Sequence, residues 1–178
     1  MTKKSFSLSK AYQLLEPGPV VMITTSLKDK PNIMTLSWHM VIDFEPPLVG
    51  IVLSNQNYSF SALKKTKECV INIPTVELVK QVVGVGNCSG STVDKFEQFH
   101  LTPQAASHVK APLIDECYAN LECRVIDMKL AEKYNLFILE VLKAWVTPSK
   151  KRTRTMHHCG NGVFVVDGEI IKTSSKKK

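Results

Sequence analysis

Residues 32–59 read NIMTLSWHMVIDFEPPLVGIVLSNQNYS, and the reading of this stretch decides the fold. It reads as two strands interrupted by an acidic Pro-Pro turn, Asp43-Phe44-Glu45-Pro46-Pro47. The first limb, residues 32–38, mixes amides, hydroxyls and large apolar groups. The second, residues 48–53, is a nearly continuous apolar run of the kind a buried strand shows. That run empties into Ser54-Asn55-Gln56-Asn57-Tyr58-Ser59, rich in donors and without charge. Such a loop at the head of a helix can hold an anion through hydroxyls, amides and the helix N-terminus. Plain helix capping by Asn57 or Ser59 accounts for it equally well.

Working outward, residues 9–16 have the pattern of a short amphipathic helix ended by Pro17-Gly18-Pro19. Residues 20–25 are rich in β-branched side chains and read as a buried strand, followed by a turn at Lys28-Asp29-Lys30-Pro31. Three strands joined by short links, without crossover helices, imply an antiparallel meander or barrel. Downstream, residues 58–67 are helical with Phe60 and Leu63 on the apolar side, and 68–73 revert to strand. Thr75 can cap a helix over 76–83 that Gly84 and Gly86 end. After an irregular segment at 101–116, residues 121–125 alternate as a half-exposed strand should, and 136–145 form a mostly apolar strand. Residues 164–171 suggest a hairpin around Asp167-Gly168. The sum is about six to eight strands and three short helices: a mainly β fold, most simply a β-barrel with peripheral helices.

The 178 residues fit one domain spanning 1–178, with a basic tail over about 172–178. Hydrophobic residues at 44% and charged residues at 22% describe an ordinary globular chain rather than a disordered one. No apolar run approaches the ~20 residues of a membrane span. The N-terminus, MTKKSFSLSK, lacks a signal-peptide core, so a cytoplasmic protein without a membrane partner is expected. Five irregularly spaced cysteines favour reduced thiols over a disulfide framework. The net charge of +7 concentrates at Lys3 and Lys4, at Lys150, Lys151, Arg152 and Arg154, and at Lys176, Lys177 and Lys178. Aromatics do not interleave with these runs as a stacking surface requires, so no nucleic-acid partner is expected. A basic nucleic-acid-binding barrel remains the alternative from another class.

A second donor-rich loop, Cys88-Ser89-Gly90-Ser91, has Lys95 about one turn further along the chain, a point charge suited to phosphate. His157-His158-Cys159 invites a metal reading with Cys88, Cys117 or Cys123. With no CxxC pair and no HExxH spacing, no metal is expected there, and a structural or interface role is preferred. Cys123 falls at an apolar strand position and reads as a core thiol. No Ser-His-Asp order or paired carboxylates stand out. P-loop and GxGxxG fingerprints are missing, which argues against a classical nucleotide fold.

Taken together, several segments resemble the flavin reductase-like family with the FMN-binding split barrel, in its flavoredoxin-type branch. They are PVVMITT (19–25), NIMTLSW (32–38), Pro46-Pro47, Asn72-Ile73-Pro74, CSGSTVDKF (88–96), Ala111-Pro112, Leu121-Glu122-Cys123 and HCGNGVFVVDG (158–168). The resemblance implies an antiparallel, Greek-key-like split barrel and a homodimer with FMN near the subunit interface. It places Thr35, Ser37, Trp38 and His39 along the isoalloxazine and ribityl chain, and Ser54, Asn55, Tyr58 and Ser59 at the ribityl-phosphate end. Cys88, Ser89, Gly90, Ser91 and Lys95 would close on the cofactor from the other side. Relatives often carry arginine where this chain has Ser91, which removes a bidentate phosphate contact. The implied activity takes a hydride from NADH or NADPH at the flavin and passes electrons to free flavin, ferric iron or a protein partner. No side chain need then act as acid or base. The rival within the family is a flavodoxin-like electron carrier reduced by a partner enzyme, and another is a structural dimer that has lost flavin.

Overall fold

Strand β1 (Lys4–Phe6) and a 3-10 helix over Leu8–Leu14 lead into β2 (Val21–Leu27), which turns back as β3 (Lys30–Leu36). The turn is made by Lys28 and Asp29, both at left-handed backbone angles (φ 54° and 59°). Two such residues give the twist that a tight antiparallel hairpin needs. The structure, a computed structural model, describes residues 2–149 and 153–174. Lys150, Lys151 and Arg152 of the basic loop and Lys176, Lys177 and Lys178 of the tail lie outside the described residues.

A further strand enters the stretch read as two limbs. After β3 come β4 (His39–Phe44) and β5 (Pro47–Val52), which pair with each other across the Pro-Pro turn. Then come α1 (Tyr58–Thr66), β6 (Glu68–Ile73), a 3-10 turn at Val76–Leu78, α2 (Val79–Gly86) and α3 (Lys95–Gln98). Next are β7 (Pro103–Gln104), β8 (Leu113–Ile114), β9 (Ala119–Asp127), α4 (Ala131–Tyr134) and β10 (Leu136–Val146). A hairpin of β11 (Met156–Gly160) and β12 (Val163–Val166) is the last regular element.

The main sheet has eight strands in the order β3-β2-β6-β9-β10-β5-β4, with β1 on β10. The ladders are all antiparallel. β2 beside β6 and β5 beside β10 are joins between strands distant in sequence, as a Greek key requires. β3 and β4 end the path without a ladder between them, so the barrel is split there.

Inside the barrel pack Val21, Ile23, Ile51, Leu53, Ile71, Leu121 and Leu139. A second apolar layer covers the outer face of β2 and β3, where Val20, Met22 and Ile33 meet Val82 and Val85 of α2 and Phe96 of α3. β2 is thus buried on both faces, which is why its sequence is a continuous apolar run.

Four local expectations change. Residues 121–125 are not half exposed: Leu121, Glu122 and Cys123 are all at 0% exposure. The segment at 101–116 covers their outer face, anchored by Glu122. That carboxylate accepts hydrogen bonds from the backbone N–H groups of Ser107 and His108, the Ser107 hydroxyl and the Trp145 indole. Thr75 makes no side-chain cap, and α2 runs through Gly84 to end at Gly86; the Phe99 ring occupies the space where a Cβ on Gly84 would sit. The last hairpin turns at Asn161 and Gly162 (φ 51° and 74°), while residues 167–171 are not strand. Phe60, Leu63 and Cys123 are buried as expected, and desolvation holds the Cys123 thiol well above its ordinary range.

Candidate functional site

β3 pairs only with β2, so alternate backbone N–H and C=O groups along its outer edge have no ladder partner among the described residues. An unpaired edge of this kind is a ready template for a ligand with alternating donors and acceptors. Two features flank it.

At the start of β3, Asn32 joins the two donor-rich segments. Its amide donates to the Ser59 hydroxyl at 2.8 Å. The Gly90 backbone lies so close against the same carboxamide that no Cβ fits there. Asn32 and Ser59 are buried, and Thr25, opposite Asn32 in the register, has a buried hydroxyl with no partner among the described residues. Asn57, the N-cap of α1, makes no side-chain cap bond, so the first-turn N–H groups carry no capping oxygen from it. The capping explanation of this loop therefore fails for Asn57, and the Ser59 hydroxyl is engaged with Asn32 instead.

Toward the end of β3, Thr35 and Ser37 line a cavity of about 290 Å³ with Val20, Val82, Val83 and Gly86. Asn87 and, from the last hairpin, His158, Gly162 and Phe164 complete it. The Thr35 hydroxyl donates to the Val82 carbonyl at 2.6 Å and so ties β3 to α2. From Asn32 to Ser37 an extended strand runs about 16 Å. One ligand with an anionic tail and a planar head can therefore contact both features.

The other expected site residues take various positions. Ser54 accepts from the Gln56 N–H, and the Asn55 N–H donates to the Asn135 side chain, both at the surface. Tyr58 is exposed at the start of α1. The Ser89 and Ser91 hydroxyls bond each other at 2.8 Å on the exposed rim of the second loop. The Cys88 thiol is directed at the Gly84 carbonyl.

Lys95 does not reach out as a point charge. It is 5% exposed, and its ammonium donates to the Val85 carbonyl at 2.8 Å. Burial lowers its pKa, against a smaller opposing effect of Cys88. It supports the turn after α2 from beneath.

His39 is also turned to a structural task. Its Nε2 lies 2.7 Å from the Pro19 carbonyl, which can only accept, so Nε2 carries the proton. Burial lowers the imidazole pKa more than that hydrogen bond raises it. Trp38 stands 71% exposed at the head of β4.

His157, His158 and Cys159 diverge. The His157 Nδ1 donates to the Gly18 carbonyl at 3.0 Å, the His158 ring lies tilted against that of Phe164 with centroids 5.2 Å apart, and Cys159 faces solvent.

Asn32, Asn87, His158 and Phe164 were missed as site residues. The signal available for Asn32 was an amide set between Pro31 and an apolar β run, opposite Thr25. Nothing local marks the others, because distant segments bring them together.

Residues 14–165 match the family described as flavin reductase like domain. An uncharacterized protein of Archaeoglobus fulgidus is 40% identical over 114 residues, 64% of this chain and 64% of that protein. The chain thus aligns with a little under two thirds of that relative's length. Among solved structures, an FMN-binding domain of a flavin reductases-like enzyme from Shewanella baltica superposes with a TM-score of 0.90 at 25% identity. That superposition covers 97% of this chain and 98% of the other. The flavoredoxin of Desulfovibrio vulgaris shares the fold with a TM-score of 0.80 at 24% identity, over 90% and 92% of the two chains.

Proposed function

Because the chain belongs to the flavin reductase-like family, we propose that it is an FMN-binding oxidoreductase drawing electrons from NADH or NADPH. The observation that carries this reading is the free edge of β3, with the Asn32–Ser59–Gly90 junction at one end and the Thr35–Ser37 cavity at the other. The donor set fits the group. Asn32, Ser59 and the N-terminus of α1 would hold the phosphate end, with Ser89 and Ser91 at its rim. Thr35, Ser37 and the apolar Val82 and Val83 would hold the ring.

FMN, when bound, supplies the hydride chemistry itself. The chain's residues bind and orient it: the β3 edge offers main-chain hydrogen bonds, and the valines exclude water from one side of the cavity. No acid–base pair lines the cavity among the described residues, and none is needed for this task. The purified protein loaded with FMN should lose its visible flavin absorbance in anaerobic NADH or NADPH. Flavin that stays oxidised with both nucleotides, yet is reduced by a separate reductase, would establish the electron-carrier alternative. No flavin uptake would end the FMN reading.

The active unit in this proposal is a homodimer. Trp38, Met40, Ile42 and Phe44 are 71%, 50%, 45% and 57% exposed. Trp38, Met40 and Ile42 alternate along edge strand β4 and its entrance, an apolar stripe of about 13 Å, and beyond the register shift at Val41 and Asp43 the Phe44 ring leans on Tyr12. A stripe this long on a sheet edge is a hazard unless covered. Light scattering should give a dimer for the wild type and a monomer for Ile42→Asp. A monomeric wild type at micromolar concentration would refute this assignment.

A further inference from the structure

Cys69 of β6 and Cys123 of β9 stand directly opposite each other in the antiparallel register. Residues paired in this way point to the same face of the sheet. Here that face is the barrel interior, where both thiols are fully buried among Ile71, Leu121, Val125 and Val141. The other cysteines lie elsewhere: Cys117 in the second apolar layer, Cys88 on a donor-rich loop and Cys159 exposed on the last hairpin.

The surroundings restrict what the pair can do. Among the described residues no group of three His, Cys, Asp or Glu side chains forms around it, so it lacks the ligands of a closed metal site. The Cys123 S–H is directed at the Leu121 carbonyl, and burial together with the neighbouring Cys69 thiol keeps it protonated. A thiol held in that state reacts slowly, which rules out a role in turnover. Access lies at the end of the ladder. Only the Glu68–Arg124 rung follows, and both of those residues reach the surface. There the Val125 N–H bonds the Lys67 carbonyl at 2.8 Å and closes the end of β9 on the end of α1. Fraying of that rung admits a molecule little larger than water.

We propose that Cys69 and Cys123 are a modification site, closed by hydrogen peroxide into a reversible cross-strand disulfide that locks this end of the barrel. One thiol gives up its proton and attacks a peroxide oxygen, which forms a sulfenic acid and releases water. The second thiol attacks that sulfur, and a second water leaves as the S–S bond forms. Two thiols and one peroxide become one disulfide and two waters. Directly opposed Cβ atoms lie ~4.5–5.5 Å apart and a disulfide needs ~3.8 Å, so closure draws β6 and β9 together by about an ångström. The two cysteines are far apart in sequence, so the link strongly restricts the unfolded chain. Dioxygen oxidising a reduced flavin yields hydrogen peroxide, so the FMN reading supplies the oxidant beside the protein. The lock itself does not depend on that reading.

The test incubates the purified protein with millimolar hydrogen peroxide, alkylates the remaining thiols under denaturing conditions and maps the peptides by mass. The peptides carrying Cys69 and Cys123 should appear linked, two hydrogens lighter than the free pair, and dithiothreitol should separate them. A bulky aromatic disulfide reagent should label the exposed Cys159 and leave the buried pair untouched. Closure should raise the urea midpoint by about 1 M. Cys69→Ala cannot close and should show no such rise after peroxide. The peptide map of the wild type decides the linkage whether or not that variant folds. Recovery of Cys69 and Cys123 as free thiols, or as separate sulfinic acids, would overturn the proposal. So would a linked form whose midpoint is unchanged or lower. Added peroxide should close the pair with or without FMN, so a protein that takes up no flavin ends the functional reading and leaves this one standing.

Discussion

Gly90→Ala is expected to weaken FMN binding about thirtyfold, if ~2 kcal/mol of overpacking is carried into the bound state. The reason is local and steric. An added Cβ would overlap the Asn32 carboxamide, which is buried and bonded to Ser59, so it cannot swing aside without breaking the junction between the two donor-rich loops. Gly90 is required for close approach, not for backbone freedom, since it is not among the residues with positive φ. Isothermal titration with FMN measures the loss. The explanation makes a second demand: in an Asn32→Ala background the collision is gone, so the extra cost of Gly90→Ala should nearly vanish. A cost unchanged in that background would mean that Gly90 matters for some other reason.

Glu122→Gln is expected to destabilise the fold by about 3 kcal/mol, the range for a buried charged acceptor whose donors lose it. The carboxylate is at 0% exposure and receives the Trp145 indole at 2.7 Å and the His108 N–H at 2.6 Å. An amide of the same shape turns an NH₂ toward those donors. The charged form also sets a pH dependence. Burial raises the Glu122 pKa, but the hydrogen bonds from Trp145, Ser107 and His108 outweigh it, and the net shift is downward.

A carboxyl with a folded pKa below its unfolded value of about 4.3 adds stability that is present above that value. The contribution is lost as pH falls through the folded pKa, because the unfolded chain takes up the proton first. Urea denaturation between neutral and acid pH should therefore show an acid loss of stability in the wild type that is reduced in Glu122→Gln. Parallel profiles for the two proteins would show that another group sets the acid limb.

Much of this architecture is legible in the chain itself. Strand β2 reads as an apolar run because burial on both faces removes the need for polar alternation, and β5 is buried through its middle. The turn residues and α1 obey short-range rules, and the donor-rich loops can be picked out in the sequence, where anion binding and plain helix capping account equally well for the first of them. The motifs at 32–38 and 88–96 carried the family, and with it the split barrel.

Tertiary structure decided the rest, because burial and long-range pairing are not local properties. The alternation at 121–125 signals a half-exposed strand, but the covering segment at 101–116 hides its outer face, and Glu122 becomes an anchor. Two turn signals compete in the last hairpin. Asn161-Gly162 wins because Met156 docks on Val20 and the Asp167 carboxylate accepts the Thr155 N–H, which closes the base of the hairpin at Asp167. The sequence shows that Lys95 is charged, but only packing reveals that its ammonium is spent on Val85. His158 reaches the cavity beside Thr35 from a distant part of the chain, and no spacing in the sequence could have announced it. Local sequence determines which segments become strands and which loops are rich in donors; the closing of the sheet determines which of those donors meet.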